Sequence, residues 1–300
     1  KEYRRQRQMC IRDRESTDYG MEKVEIYEEV KHHQNYCFEG EDIKKGSKLI
    51  EIGEKLSHVH IGIIASMGYE KVKVLRKTKV ALISTGDEVI CGGIPLTEGK
   101  IYDSNRRMIA ARLEELGCDV VLAEVMGDDE NLIANEIKNI MNDVDVVFTT
   151  GGVSVGKKDI MHQVIQILHA KRIFWRVNMK PGTPAIYAVY ENKPLLCLSG
   201  NPFAAIATFE LMGKQLLYKL GQDPGLREVR KEAILQDKFL KESRGRRLIR
   251  AIYDEGRVYL PKGGHSSGIL GSMVGCNCLI DIKPGTPKLD KGEKVEVVLL

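Results

Sequence analysis

An apolar run, Val144 to Phe148, leads into Thr149-Thr150-Gly151-Gly152-Val153-Ser154-Val155-Gly156-Lys157-Lys158-Asp159. A helical pattern at Met161, Val164, Ile165 and Leu168 leads out. The order is buried strand, glycine-rich turn, helix. Glycine lets backbone approach a ligand closely, and a helix start presents unpaired N–H groups with a positive dipole. The turn therefore suits an anion such as phosphate. It has neither the Gly-x-Gly-x-x-Gly nor the Walker A spacing, which disfavours a plain Rossmann or P-loop reading.

The same rhythm repeats on both sides. From Lys79, strands at Val80–Ile83, Val120–Val125, Val144–Phe148 and Ile173–Val177 alternate with helical patterns at Arg106–Leu116 and Leu132–Met141. Ile186–Val189 and Leu195–Leu198 flank Glu191-Asn192-Lys193 as a hairpin. Pro202 then opens a long helix to about Leu220, in the first-turn position that suits proline. Alternation of this kind predicts a mostly parallel sheet covered by helices on both faces, an α/β domain over 79–222. Ligands of such sheets collect at the carboxyl ends of the strands.

Residues 223–300 change to short strands with glycine turns, including Gly263-Gly264-His265-Ser266-Ser267-Gly268, and predict a small β-barrel or sandwich. Residues 21–78 mix short alternating strands (Val24 to Tyr27, Val72 to Val74) with one helix capped by Ser57 and ended by Gly68. This stretch reads as part of a further domain. Residues 1–20 read as a disordered or non-native tail. The first fourteen residues hold six basic and two acidic side chains, which accounts for the whole net charge of +4. The body is neutral, so charge gives no support for nucleic-acid binding.

Seven scattered cysteines without a Cys-x-x-Cys pair point to a reducing cytoplasm rather than a disulfide framework or zinc ribbon. Cys276 and Cys278 read as part of a strand. No apolar run reaches membrane-spanning length, so no membrane association is expected.

The strand ends carry the chemistry. Asp87 and Glu88 suit a Mg²⁺ ion completed by waters and phosphate oxygens. Asp128 and Asp159 are candidates to join them, and each also fits a helix cap. Lys180, held between a strand and Pro181 and Pro184, is a point charge for an oxyanion. Arg176 shares that face only if its strand runs on to Lys180. Ser104, Asn105, Ser154 and Ser199 add neutral donors. No Ser/His/Asp or Cys/His set is visible, so the constellation suits metal-assisted transfer at a phosphoanhydride rather than nucleophilic hydrolysis.

Five motifs occur in order: Ser84-Thr85-Gly86-Asp87-Glu88; Ile101-Tyr102-Asp103-Ser104-Asn105; Thr150 to Gly156 with Asp159; Met179-Lys180-Pro181-Gly182-Thr183-Pro184; and Gly200-Asn201-Pro202. The set resembles the molybdopterin molybdenumtransferases, the MoeA family that includes the gephyrin E domain. The resemblance implies a three-layer α/β/α molybdopterin-binding domain like that of MogA. Part of an elongated β-rich domain precedes it and a small β-barrel follows. It implies insertion of molybdate into adenylylated molybdopterin with release of AMP, assisted by Mg²⁺, in a cytoplasmic homodimer. The upstream adenylyltransferase is a further implied partner.

By the same resemblance Asp87, Glu88, Asp128, Asp159 and Lys180 are the catalytic positions, with Asp87 and Glu88 on the metal. Thr85, Gly86, Ser104, Asn105, Gly151, Gly152, Ser154, Gly156, Arg176, Pro181, Gly182, Pro184, Ser199, Gly200, Asn201 and Pro202 are the cofactor-binding ones. Arg176 stands where many members have lysine, and Ser199 where they have proline. The family carries more chain ahead of the point matching Lys23, so an N-terminally truncated member is expected. Two other readings are a non-catalytic molybdopterin-binding relative and a MogA-like adenylyltransferase, against which the flanking domains argue.

Overall fold

The computed structural model describes residues 36–153 and 160–300, together with Asp18, Lys23, Glu25, Tyr27, Glu29, His32 and His33. Residues 1–52 and 53–300 form two compact units. Among the described residues of the first there are only turns, bends and irregular chain. Of the strand read at Val24 to Tyr27, Val24 and Ile26 lie outside the described residues.

The second unit opens on helix α1 (His58–Ser66), with Ser57 and His60 forming a reciprocal capping box. The strand expected at Val72 to Val74 does not form. Both valines are exposed, and no strand among the described residues pairs with them to complete a ladder.

The α/β sheet contains β1 (Lys79–Thr85), β4 (Asp119–Met126), β5 (Val146–Thr150), β6 (Lys171–Trp175), β8 (Ile186–Tyr190) and β9 (Lys193–Leu198). Its spatial order is β4-β1-β5-β9-β8-β6. β4, β1, β5 and β9 are parallel; β8 turns back against β9, and β6 against β8. Glu191 and Asn192 both take positive φ in the β8–β9 hairpin turn. A separate two-stranded ladder joins β2 (Val89–Ile90) to β3 (Ile101–Tyr102).

β1 shows why the sheet is covered twice. Val80 and Leu82 face a core built with Ile109 and Leu113 of α2 (Asn105–Glu115) and Phe203 of α5 (Pro202–Thr208). Ala81 and Ile83 face a second core with Ile133 and Ile137 of α3 (Glu130–Ile140) and Met161 and Val164 of α4 (Ile160–Ile167). Alternate side chains of a strand point to opposite faces, so an unbroken apolar strand needs both layers. The long C-terminal helix is interrupted by a π-helical turn, Phe209–Gly213, before α6 (Lys214–Gly221). In that turn Glu210 is buried and accepts from Arg112 Nε at 2.7 Å, and Phe209 meets Phe148 edge to face.

The C-terminal strands close a barrel rather than a sandwich. β10 (Val229–Leu235), β14 (Lys294–Leu299), β13 (Cys278–Ile282), β11 (Arg246–Asp254) and β12 (Arg257–Tyr259) pair in that order, and β12 returns to β10. Closure leaves no open edge. Cys278 sits in the barrel core; Cys276 precedes the strand in a turn. One more strand, β7 (Met179–Lys180), leaves the α/β domain and pairs in parallel with Arg246 and Arg247 of β11. No helix among the described residues is long and apolar enough to cross a membrane.

Candidate functional site

β1 and β5 end side by side, and their ends are tied together. Ser84 Oγ lies 3.0 Å from Thr150 Oγ1, and Thr85 Oγ1 donates to the Thr150 carbonyl. Gly151 follows at φ +94°, where a Cβ would lie 2.4 Å from the Thr85 carbonyl oxygen. Only glycine fits this left-handed, crowded position. Ser154, Gly156 and Asp159 of the same turn lie outside the described residues.

Asp87 and Glu88 are exposed just beyond β1. Asp87 Oδ1 accepts the Asp128 N–H at 2.9 Å, which ties the β1 and β4 ends together. The helix cap read at Asp128 or Asp129 falls to Asp129, whose carboxylate accepts from the Asn131 and Leu132 N–H groups. Two exposed carboxylates on adjacent residues suit Mg²⁺, which keeps several waters and takes only one or two protein carboxylates. No group of three metal-ligating side chains is present among the described residues.

Asp103 is the buried anchor of this end. Its Oδ1 accepts the Arg106 N–H, and its Oδ2 meets Arg106 Nε at 2.7 Å, so it caps α2 where Ser104 makes no side-chain cap. Asn105 Nδ2 donates to the Gly200 carbonyl at 2.7 Å, linking this end to the turn after β9. Asn105 Oδ1 is buried without a hydrogen-bond partner.

The Lys-Pro-Gly loop lies apart from the acidic pair. Arg176 and Val177 donate backbone bonds to Ala185 and Thr183, and Thr183 Oγ1 donates to the Met179 carbonyl, closing the loop on itself. The Lys180-Pro181 bond is cis. Gly182 at φ +95° packs so close to α5 that a Cβ would meet Thr208 Oγ1 at 2.2 Å. β6 stops at Trp175, and Arg176 takes a left-handed φ of +70°. The strand thus does not continue to Lys180, and the two basic residues do not share a face.

A cleft of about 630 Å³ opens between this loop and the barrel. Lys180, Pro181, Gly182, Pro184, Ser199 and Asn201, all read from the sequence as site residues, line one wall. The other wall comes from the barrel: Lys241, Arg247, Arg250, His265, Ser266 and Ser267. Among the described residues lining it are four permanent cations, several hydroxyls and no carboxylate, a composition made for an oxyanion.

None of the barrel residues was read as a site residue from the sequence. The one available signal was the glycine- and serine-rich run around His265.

Arg250 organises that wall. It is 1 % exposed, its guanidinium lies 4.1 Å from the Phe203 ring centroid, and it donates to the Ser266 and Ile269 carbonyls. Burial pushes its pKa down, and its Nε has no partner. The Phe203 N–H, at the start of α5, donates to the Ser267 carbonyl at 2.9 Å. His265 is held below its ordinary pKa of 6.5 by burial and by the charges of Arg250 and Lys241.

An α/β domain whose strand-end loop meets a cationic barrel wall forms a cleft suited to an anion. Residues 81–219 match the family model of the probable molybdopterin binding domain, and residues 232–300 that of the MoeA C-terminal region. A molybdopterin molybdenumtransferase from Staphylococcus epidermidis is 34% identical over 278 residues, covering 91% of this chain and 66% of that protein. One from Haemophilus influenzae is 32% identical over 272 residues, covering 89% and 67%. A solved molybdopterin biosynthesis MoeA protein from Pyrococcus horikoshii superposes with a TM-score of 0.78 at 29% identity, covering 95% of this chain and 70% of that one. The chain belongs to the molybdopterin molybdenumtransferase (MoeA) family. It spans 66% of the length of the Staphylococcus epidermidis relative.

Proposed function

We propose that the chain inserts molybdate into adenylylated molybdopterin and releases AMP, the last step in assembling the molybdenum cofactor. The observation that carries this reading is the cationic cleft in which Lys180 of the α/β domain faces Arg250 and Ser267 of the barrel. A small dianion is held there by Lys180, Lys241, Arg247 and Arg250, with hydroxyls of Ser199 and Ser267 orienting its oxygens. The rigid loop around Gly182 fixes Lys180, so little reorganisation accompanies binding.

The phosphoanhydride belongs at the other end of the strand row, beside Gly151 and the acidic pair. Asp87 and Glu88 would hold Mg²⁺, with Asp128 tied to Asp87 through its backbone N–H; Asp159 is assigned to the same chemistry by the motif alone. The ion, when bound, neutralises charge on the phosphate oxygens as AMP leaves. Thr85, Gly86 and Gly152 line the phosphate path in this reading, and Ser154 and Gly156 are assigned to phosphate binding by their place in the glycine-rich motif alone. Ser104, Asn105, Gly200 and Pro202 shape the floor between the two ends. Asn105 supports this role through its bond to Gly200 and its unpaired, buried oxygen.

The proposal extends to a cytoplasmic homodimer fed by a molybdopterin adenylyltransferase. In its support, α1 is apolar yet buries none of its residues, leaving a surface that a second subunit would cover. The match of residues 232–300 to the MoeA C-terminal region favours the transferase over the adenylyltransferase reading.

The test is AMP release from adenylylated molybdopterin by the 300-residue chain, with and without molybdate and Mg²⁺. Release that needs molybdate supports the transferase. Binding without release would establish a molybdopterin-binding protein instead.

A further inference from the structure

The substrate of the proposed reaction contains two fused heterocycles, adenine and pterin, each joined to phosphate. A flat heterocycle is held by an exposed aromatic face with a cation beside it. In the cleft, Phe203 lies beneath Arg250 and is 3% exposed, and Phe239 lies beneath Arg247 and is 7% exposed. Neither ring is free to stack. Tyr102 is exposed, but its hydroxyl is tied to the Ile94 carbonyl at 2.9 Å and no guanidinium or ammonium stands against its ring among the described residues.

Trp175 is different. It is the last residue of β6 and 37% exposed. β6 lies antiparallel to β8 and β8 to β9, so β6 runs with β9, and Trp175 emerges at the same end of the sheet as Ser199 and Gly151. The Arg176 guanidinium lies 5.4 Å from the indole centroid. His162, in the first turn of α4, meets the indole edge to face at 4.7 Å. Arg172 Nη1 lies 2.8 Å from His162 Nδ1. An exposed indole is thus set among two guanidinium groups, beside the helix that the glycine-rich turn feeds.

We propose that Trp175 is a stacking platform for the heterocycle of a phosphate ester, with Arg176 moving from the indole to the phosphate when the ring arrives. The inference rests on the function proposed above and adds to it the recognition of the substrate's ring.

Trp175 is the only tryptophan of the chain, so its fluorescence reports on this position alone. The wild-type chain is titrated with AMP and with ribose 5-phosphate. AMP is expected to quench the fluorescence saturably; the ringless ester is not.

Calorimetry then compares the wild type with Trp175→Leu and Trp175→Phe, using AMP and dihydroneopterin monophosphate as probes. Loss of one stacking partner predicts about tenfold weaker binding in the leucine variant. The phenylalanine variant should restore most of it. Weakening confined to AMP assigns the platform to adenine; weakening confined to the pterin ester assigns it to the pterin. Equal binding of both probes to wild type and Trp175→Leu overturns the platform.

The AMP-release assay separates the two levels of the argument. Molybdate-dependent turnover with the same KM in wild type and Trp175→Leu removes the platform alone. Absence of turnover by the wild type removes the function on which it rests.

Discussion

The guanidinium of Arg250, on barrel strand β11, lies 4.1 Å from the ring centroid of Phe203, in the first turn of α5. This contact fastens the barrel to the α/β domain beside the cleft. Arg250→Met keeps bulk but removes the cation and its bonds to the Ser266 and Ile269 carbonyls. Buried charge-assisted bonds and a desolvated cation–π contact together predict a loss of about 2–4 kcal/mol. Urea unfolding measures it. Molybdate affinity of the still-folded variant should fall as well, and unchanged affinity would remove Arg250 from the anion wall.

Lys180 and Asp87 are predicted to fail differently. Lys180→Ala leaves AMP-release chemistry possible at high molybdate, with the KM for molybdate raised by roughly tenfold for one lost charge-assisted contact. Asp87→Ala should reduce the rate by about 100-fold or more at any molybdate concentration, because a charge that forms as AMP leaves is no longer neutralised. Circular dichroism should show an intact fold for both. Full activity in Asp87→Ala would take the acidic pair out of the mechanism.

Gly182 and Thr208 form a steric pair. Gly182→Ala places a methyl 2.2 Å from Thr208 Oγ1, at φ +95°. Destabilisation of roughly 2–4 kcal/mol is expected from overpacking plus the left-handed backbone. Thr208→Ala in the same chain relieves the clash but not the φ strain, so thermal unfolding of the double variant should recover only part of the loss. Full recovery would mean that the backbone conformation is not strained.

Asp281 gives the pH dependence a sign. It is 9% exposed and accepts from Arg246 and Arg230. Burial alone would raise its pKa; the two guanidinium groups outweigh this and hold it below 3.8. A carboxyl with a lowered folded pKa contributes stability that is complete well above 3.8 and lost as pH falls through the folded value. Asp281→Asn should therefore cost about 2 kcal/mol at neutral pH, where Arg246 loses its carboxylate partner while Arg230 keeps Glu228 and Glu296. The gap to wild type should close progressively in acid. A gap that stays constant with pH would mean the carboxylate charge is not the source of the stability.

Much of this architecture was legible along the chain. The apolar runs named the inner strands because a strand buried on both faces has no polar side. Gly117 and Pro202 marked helix ends through their own backbone limits. Boundaries slipped by about two residues where apolar runs continue past the ladder: β5 was read at Val144–Phe148 and lies at Val146–Thr150. The helix cap between Asp128 and Asp129 was undecidable from sequence, since either side chain reaches the same N–H groups. The Asp129 carboxylate, which accepts from the Asn131 and Leu132 N–H groups, decides it.

The sequence by itself determined which residues stand at the strand ends, because period, glycine and proline are local properties of backbone and side chain. It could not say that Met179 and Lys180 leave their own domain to pair with Arg246 and Arg247. That pairing joins segments far apart in the chain through backbone groups, which are the same in every residue and carry no sequence signature. The same holds for Arg250: an arginine on a strand looks solvated until closure of the barrel buries it against Phe203. One wall of the cleft was thus written in the sequence, and the other was decided only by how the barrel docks.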